Sequence, residues 1–255
     1  MTVMELYRAL DARIPRSLSC EWDNDGLMCC PDKDREVRRV LVALDVTDRV
    51  VSRAIKENFD VILSHHPLIF KGIKAMGGED PLSAKVLRLI GAGIAVMSFH
   101  TRLDAVEGGV NDMLASLLGL DEVEVFGQNG ETIGRIGRLA RPMTTREFAE
   151  HVKVTLRSPA VFYGDAGIPV RRVAVLGGSG DDDVSAAREA GADTYLSGTL
   201  KYHDLTDAPE SGMNLLMAGH FYTERPVCRV LCDTVESLAP EIECTCDLMP
   251  NIGAV

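Results

Sequence analysis

The sequence predicts an α/β protein of two three-layer α/β lobes with mostly parallel sheets, and three observations carry that prediction. Short, nearly continuous apolar runs recur at 40–46, 61–63 and 94–99, as in strands buried on both faces. Amphipathic stretches of helical period separate them, which is what parallel pairing requires. The alternation then resumes beyond a polar, glycine-containing stretch at 127–131. That stretch is the expected seam between an N-terminal lobe, 1–127, and a C-terminal lobe, 128–255.

The chain opens on a helix, where Thr2 and Glu5 fit a capping box and Val3, Leu6, Leu10 and Ile14 recur at helical spacing. The run 40–46 is the first strand, and Thr47 caps the helix after it. The run 61–63 is the next strand core, followed by a helix over 83–90 that stops at Gly91. A third strand at 94–99 leads to a helix over 110–118 that stops at Gly119. In the second lobe 133–139 reads as a strand and 145–156 as a helix. A buried strand at 173–176 runs into Gly177-Gly178-Ser179-Gly180 and then a helix to Ala190. Segments 194–196 and 215–217 are further strand cores. The last long helix carries Val227, Val230, Leu231, Thr234 and Leu238. Pro226, tolerated in a helix's first turn, places its start near 221–223.

The 255 residues suffice for one large domain or two modest lobes. The formal charge is −11 with no long basic run, which argues against a nucleic-acid groove or an anionic membrane surface as partner. Phosphorylated substrates stay open, because a bound dication reverses the local field. No run approaches the roughly 20 apolar residues that cross a bilayer, and segment 1–14 lacks the apolar core of a secretion signal. Seven cysteines at irregular spacing, among them the adjacent Cys29-Cys30 and the helical pair Cys228 and Cys232, form neither a disulfide framework nor paired C-x-x-C zinc motifs. Reduced thiols in a cytoplasmic protein are the expectation.

Ligands gather beyond the carboxyl ends of strands in open α/β sheets, and potential metal ligands cluster there in this sequence. His65-His66-Pro67 follows the strand at 61–63, His100 and Asp104 follow 94–99, and His220 and Glu224 follow 215–217. Four of the six histidines fall in these three loops. Neighbouring side chains on an extended backbone point apart, so His65 and His66 suit two neighbouring ions, one each. Asp104 can bridge two ions and offset their repulsion. His220 lies in the turn before the last helix and Glu224 in its first turn, so both can face one point; complementing the helix dipole is the bland alternative for Glu224. His100 is a ligand, a proton shuttle or a positioning group, and a place near the metals without direct ligation is favoured. His203, in Lys201-Tyr202-His203-Asp204, is a candidate pocket residue. Gly177 to Gly180 could cradle a phosphate, but Asp181, Asp182 and Asp183 follow, which favours a tight structural turn. Segment 21–26 reads locally as a turn.

Taken in order, these motifs resemble those of the dinuclear-metal, hexameric family of GTP cyclohydrolase 1 type 2 homologues. The resemblance spans essentially the whole chain: Trp22-Asp23-Asn24 with Gly26-Leu27, the run 64–70 (SHHPLIF), His100-Thr101 with Leu103-Asp104, then Gly108 to Asp112, GGSG at 177–180, Tyr202-His203, and Gly219-His220 with Thr223-Glu224. It implies that His65, His66, Asp104, His220 and Glu224 hold two divalent transition-metal ions, with zinc, iron, manganese or nickel all compatible with the donors. It also implies a ring-like homohexamer whose metal sites, lying between the lobes, face an internal cavity. Some members carry an inserted domain, which this chain is too short to contain. Two departures stand out: Arg102 where a small polar residue is expected, and Asp25 in place of an apolar one. Arg102 adds a cation that could hold a substrate phosphate. The expected activity is metal-dependent hydrolysis of a nucleotide or phosphorylated small molecule, either opening a purine ring or cleaving a phosphoester. The alternative is a metal-binding, metal-delivery or regulatory scaffold, since fold and metal site do not fix a reaction.

Overall fold

The computed structural model describes residues 1–128 and 132–253. The chain folds as two compact units, and one interrupts the other in sequence. Met1–Val106 and Val227–Gly253 form the first, while Glu107–Pro226 forms the second. This corrects the expected division at 127/128: the proposed seam falls within the second unit, and its residues 129–131 lie outside the described residues.

In chain order the first unit supplies strands β1 (Gly26–Cys29), β2 (Arg39–Ala43), β3 (Val61–Ser64) and β4 (Ala95–Ser98). The second supplies β5 (Leu120–Phe126), β6 (Gly134–Met143), β7 (Phe162–Gly164), β8 (Val170–Ser179), β9 (Thr194–Thr199) and β10 (Asn214–Met217). Strand β11 (Glu243–Asp247) then returns to the first unit.

The first sheet has the order β1-β4-β3-β2-β11. Its last four strands run parallel, and β1 closes the other edge antiparallel to β4. Every residue of β3 and β4 is buried, as their unbroken apolar character demands. Leu41, Ile62 and Val96 share one core with Val50, Val51 and Ala54 of helix Asp48–Lys56 and with Val86 and Leu89 of helix Pro81–Ala92. Helix Val227–Leu238 lies against β11 and β2 and buries Val227, Leu231 and Val235. Ala43, Ser64 and Ser98 stand side by side at the ends of β2, β3 and β4. The residues just beyond them therefore leave the sheet at one edge.

The second sheet has the order β5-β6-β8-β9-β10-β7 and is mixed. Strands β8, β9 and β10 are parallel, but β5 with β6, β6 with β8, and β10 with β7 pair antiparallel. The expectation of mostly parallel pairing holds in the first unit and is corrected here. Strand β5 was not expected at all: its central five residues are all exposed, and its acidic sequence carries no apolar run. Side chains alternate between two cores. Val173, Val175 and Leu196 pack with Phe148 and Val152, while Ala174, Leu176 and Tyr195 pack with Ala187 and Ala208.

Helix Thr145–Leu156 has the expected bounds, and Thr144 and Glu147 form its capping box. The expected single final helix is instead two, His220–Glu224 and Val227–Leu238. Pro226, without an N–H, stands at the break. Among the described residues no helix is long and apolar enough to cross a membrane.

Candidate metal centre

In the first unit the strand ends deliver a group of histidines. The extended backbone of β3 stops at Ser64, whose hydroxyl donates to the His66 carbonyl at 2.8 Å and meets the Ser98 hydroxyl at 2.8 Å. The His66 N–H donates to the Leu44 carbonyl at 2.9 Å. Because residues 65 and 66 form a bend and not a strand, the side-chain alternation expected of the pair does not apply. The two rings lie side by side, centroids 4.9 Å apart. His100, leaving β4, brings its ring to 5.3 Å from His65 and 5.6 Å from His66. Each of the three can offer one ring nitrogen, and these atoms lie within 4.8 Å of one another.

Each ring is fixed from behind. His65 Nδ1 lies 3.0 Å from the Phe99 carbonyl, an acceptor only, so Nδ1 carries the proton and Nε2 the lone pair. His66 Nδ1 sits 2.7 Å from an Asp45 carboxylate oxygen and His100 Nδ1 2.9 Å from one of Asp23, with the same consequence. Backing of this kind sets ring orientation and raises ligand basicity. Burial works against the charge on Asp23. The hydrogen bonds from His100 and Thr101 outweigh it and hold the carboxyl at about 2. Asp104, on the short helix Thr101–Ala105, places a carboxylate oxygen 3.7 Å from His65 Nε2.

Asp23 and Asp45, which back two of these rings, were not singled out as site residues from the sequence. Segment 21–26, read as a turn, holds the start of the Thr101–Ala105 helix: Asp23 accepts from the Thr101 N–H at 3.0 Å and Asp25 from the His100 N–H at 3.2 Å. For Asp45 the available signal was its position just beyond β2, at the same strand-end edge as the histidines.

In the second unit His220 and Glu224 form the other donor pair. They stand one turn apart on helix His220–Glu224, with Nε2 and a carboxylate oxygen 3.0 Å apart. Glu224 ends this short helix, where it was expected in the first turn of the long one. Glycines make room for the pair. Gly178 has φ +71°, and a Cβ there would collide with the Glu224 carboxylate; one at Gly177 would lie 3.3 Å from Glu224 Cγ, and one at Gly198 2.8 Å from His220 Cα. Gly178 also donates its N–H to the Thr223 hydroxyl at 3.1 Å. The GGSG run is thus no separate turn: Gly177 to Ser179 form the end of β8, and the glycines there leave room for this helix. Lys201, 2.5 Å from Asp181, occupies the acids that follow.

Two expectations need correction or trimming. Arg102 does not present a cation to a substrate. Its side chain is fully buried, donating to Asp25 at 2.9 Å, Asp11 at 2.6 Å and the Ile14 carbonyl at 2.9 Å, with the guanidinium 4.3 Å above the Phe99 ring. The two departures from the family pattern, Arg102 and Asp25, are partners. His203 is two-thirds exposed, faces Asp204 at 3.6 Å, and belongs to no ligand group among the described residues.

The donor set of imidazole nitrogens and carboxylates suits a divalent transition metal. The GTP cyclohydrolase 1 type 2 homolog of Clostridium acetobutylicum is 33% identical over 242 residues, covering 92% of this chain and 90% of that one. The protein of the same name from Streptococcus pneumoniae is 35% identical, covering 87% and 85%. Among solved structures, a hypothetical protein of Staphylococcus aureus superposes with a TM-score of 0.90 at 28% identity, covering 100% of this chain and 99% of that one. Residues 1–250 match the family model described as Duf34/NIF3 (NGG1p interacting factor 3), and the chain belongs to that family.

Proposed function

We propose that the chain is a metal-dependent hydrolase whose dinuclear centre is held by His65, His66, Asp104, His220 and Glu224. The observation that carries this reading is the preset tautomer of His65 and His66, whose Nδ1 atoms are committed to a carbonyl and a carboxylate. Metal-ligating histidines carry backing of this kind on the ring nitrogen that does not bind, which fixes the tautomer and aims the other. His220 and Glu224, 3.0 Å apart, add an imidazole and a carboxylate to the donors, and both belong to the motifs that carry the family resemblance. When bound, the ions supply Lewis acidity and lower the pKa of a coordinated water towards 7.

The remaining work falls to the chain. His100, donating through Nδ1 to the ionised Asp23, leaves Nε2 as the ring nitrogen that would exchange a proton with water or substrate. Trp22 and Phe70 are 60% and 46% exposed, and each ring centre lies 6.2 Å from that of His100. Their open faces suit a planar base, which favours a nucleotide over a simple phosphoester. The relatives' name, GTP cyclohydrolase 1 type 2 homolog, implies hydrolytic opening of a purine ring. Assembly into a homohexamer belongs to the same reading.

The test compares GTP with generic phosphoesters on metal-loaded and chelated protein, with metal content and light scattering measured in parallel. Two ions per chain, a hexamer, and metal-dependent turnover lost in Asp104→Asn are expected. His65→Ala and His66→Ala should each remove mainly one ion. Full loading with turnover of neither substrate class would turn the reading into a metal-binding scaffold, and turnover that survives chelation would assign it to another site.

A further inference from the structure

Apart from the candidate metal ligands, the described residues bring together a set of thiols between helix Val227–Leu238 and β11. Cys232 Sγ lies 2.9 Å from Cys246 Sγ and 2.9 Å from Cys244 Sγ, and the Cys246 thiol lies 3.3 Å from the Cys228 carbonyl. Cys244 and Cys246 are alternate residues of an edge strand, so both point to the face that the helix covers. Cys232 is 1% exposed, whereas Cys244 and Cys246 are half-buried and within reach of a small reagent.

Two chemistries compete for such a cluster. A shared tetrahedral zinc ion with bonds of about 2.3 Å holds its sulfurs roughly 3.8 Å apart. These thiols lie closer than that, in hydrogen-bond contact with Cys232, so that a small side-chain movement brings either of the other two to disulfide distance. We infer that Cys232, Cys244 and Cys246 form an oxidative modification site, in which Cys232 takes a disulfide with either of the other two.

The oxidant class is a low-molecular-weight disulfide. A thiolate at Cys244 or Cys246 attacks one sulfur of the reagent, forming a mixed disulfide and expelling one thiolate. The Cys232 thiolate then attacks the protein sulfur of that mixed disulfide and expels the second. Two protein thiols have lost two electrons and two protons, and the reagent has become two thiols. The third cysteine, still beside Cys232, can displace its neighbour from the new bond, so the cross-link exchanges between Cys244 and Cys246 without further oxidant. The hydrogen bond with Cys244 holds Cys232 in its thiol form, which slows the second attack; proximity works in the opposite direction.

The experiment incubates the full-length protein with oxidised glutathione, traps remaining thiols with an alkylating agent under denaturing conditions, and maps the peptides by mass. The expected product has lost two hydrogens and alkylates at five of the seven cysteines, with Cys232 joined to Cys244 or Cys246. Cys244→Ser should leave only the bond to Cys246, and Cys246→Ser only that to Cys244. Cys232→Ser should stop at a glutathione adduct. Alkylation of every cysteine after oxidation, bonds mapping to other pairs, or a metal ion that copurifies with and protects these thiols would each overturn the assignment. The two strand variants keep the test decisive if Cys232→Ser does not fold.

Discussion

At residue scale, the pairing of Asp25 with Arg102 shows why charged side chains can sit where solvent never reaches. Neither side chain has any exposure, and Asp25 also accepts from Ser19 at 3.2 Å. Removing one partner of a buried pair costs about 3–5 kcal/mol, because the other charge stays buried without compensation. Arg102→Met should therefore destabilise the protein by that amount in urea unfolding. Asp25→Leu combined with Arg102→Met should cost less than the two single changes summed; additive losses would mean that the residues act independently. Asp23 makes a pH-dependent contribution. Its carboxyl is held at about 2, below the ordinary 3.8, so the folded state favours the ionised form. That stabilisation is complete above the ordinary value and is lost as pH falls from there towards 2. Asp23→Asn should flatten the decline of stability with pH in that window, measured by thermal unfolding at several acidic pH values.

At the scale of elements, the short helix His220–Glu224 owes its place to the glycines beneath it. Gly178→Ala would put a methyl group into the Glu224 carboxylate from a left-handed backbone position that costs an L-residue about 1–2 kcal/mol. The expected result is a fold with unchanged far-ultraviolet circular dichroism and weakened metal binding by calorimetry. Unaltered binding would show that the helix tolerates displacement. Elements that announce themselves locally were legible in the sequence: the capping box at Thr2, the helix Thr145–Leu156, the buried β3, and the histidines after it. The run Asp121 to Val125 hid β5, because a strand whose middle is exposed on both sides leaves no apolar period to read. The bonds that orient the rings were equally hidden, since Asp45 and Asp23 reach His66 and His100 across 21 and 77 positions of sequence. Arg102 was misread for the same reason. A cation's partner is a tertiary fact, and here it was the other unusual residue in the chain.

On the scale of the whole molecule, the division of the chain matters more than its length. The second unit is one continuous segment, 107–226, whereas the first is assembled from 1–106 and 227–253. Expressed alone, residues 107–226 should give a cooperative thermal transition, and residues 1–106 should not, for want of β11 and the helix Val227–Leu238 that covers β2. A cooperative transition in both fragments would show that β11 is dispensable. The parallel pairing of Val40 with Cys244 and Val42 with Cys246 has a further consequence during synthesis. A ribosome adding about 5–20 residues per second spends on the order of ten seconds on the second unit. Throughout that interval β2 has emerged without the strand that finishes its sheet, and presents an open hydrogen-bonding edge to other nascent chains. Chaperone demand for this protein should therefore peak midway through translation, at a surface that the finished fold conceals.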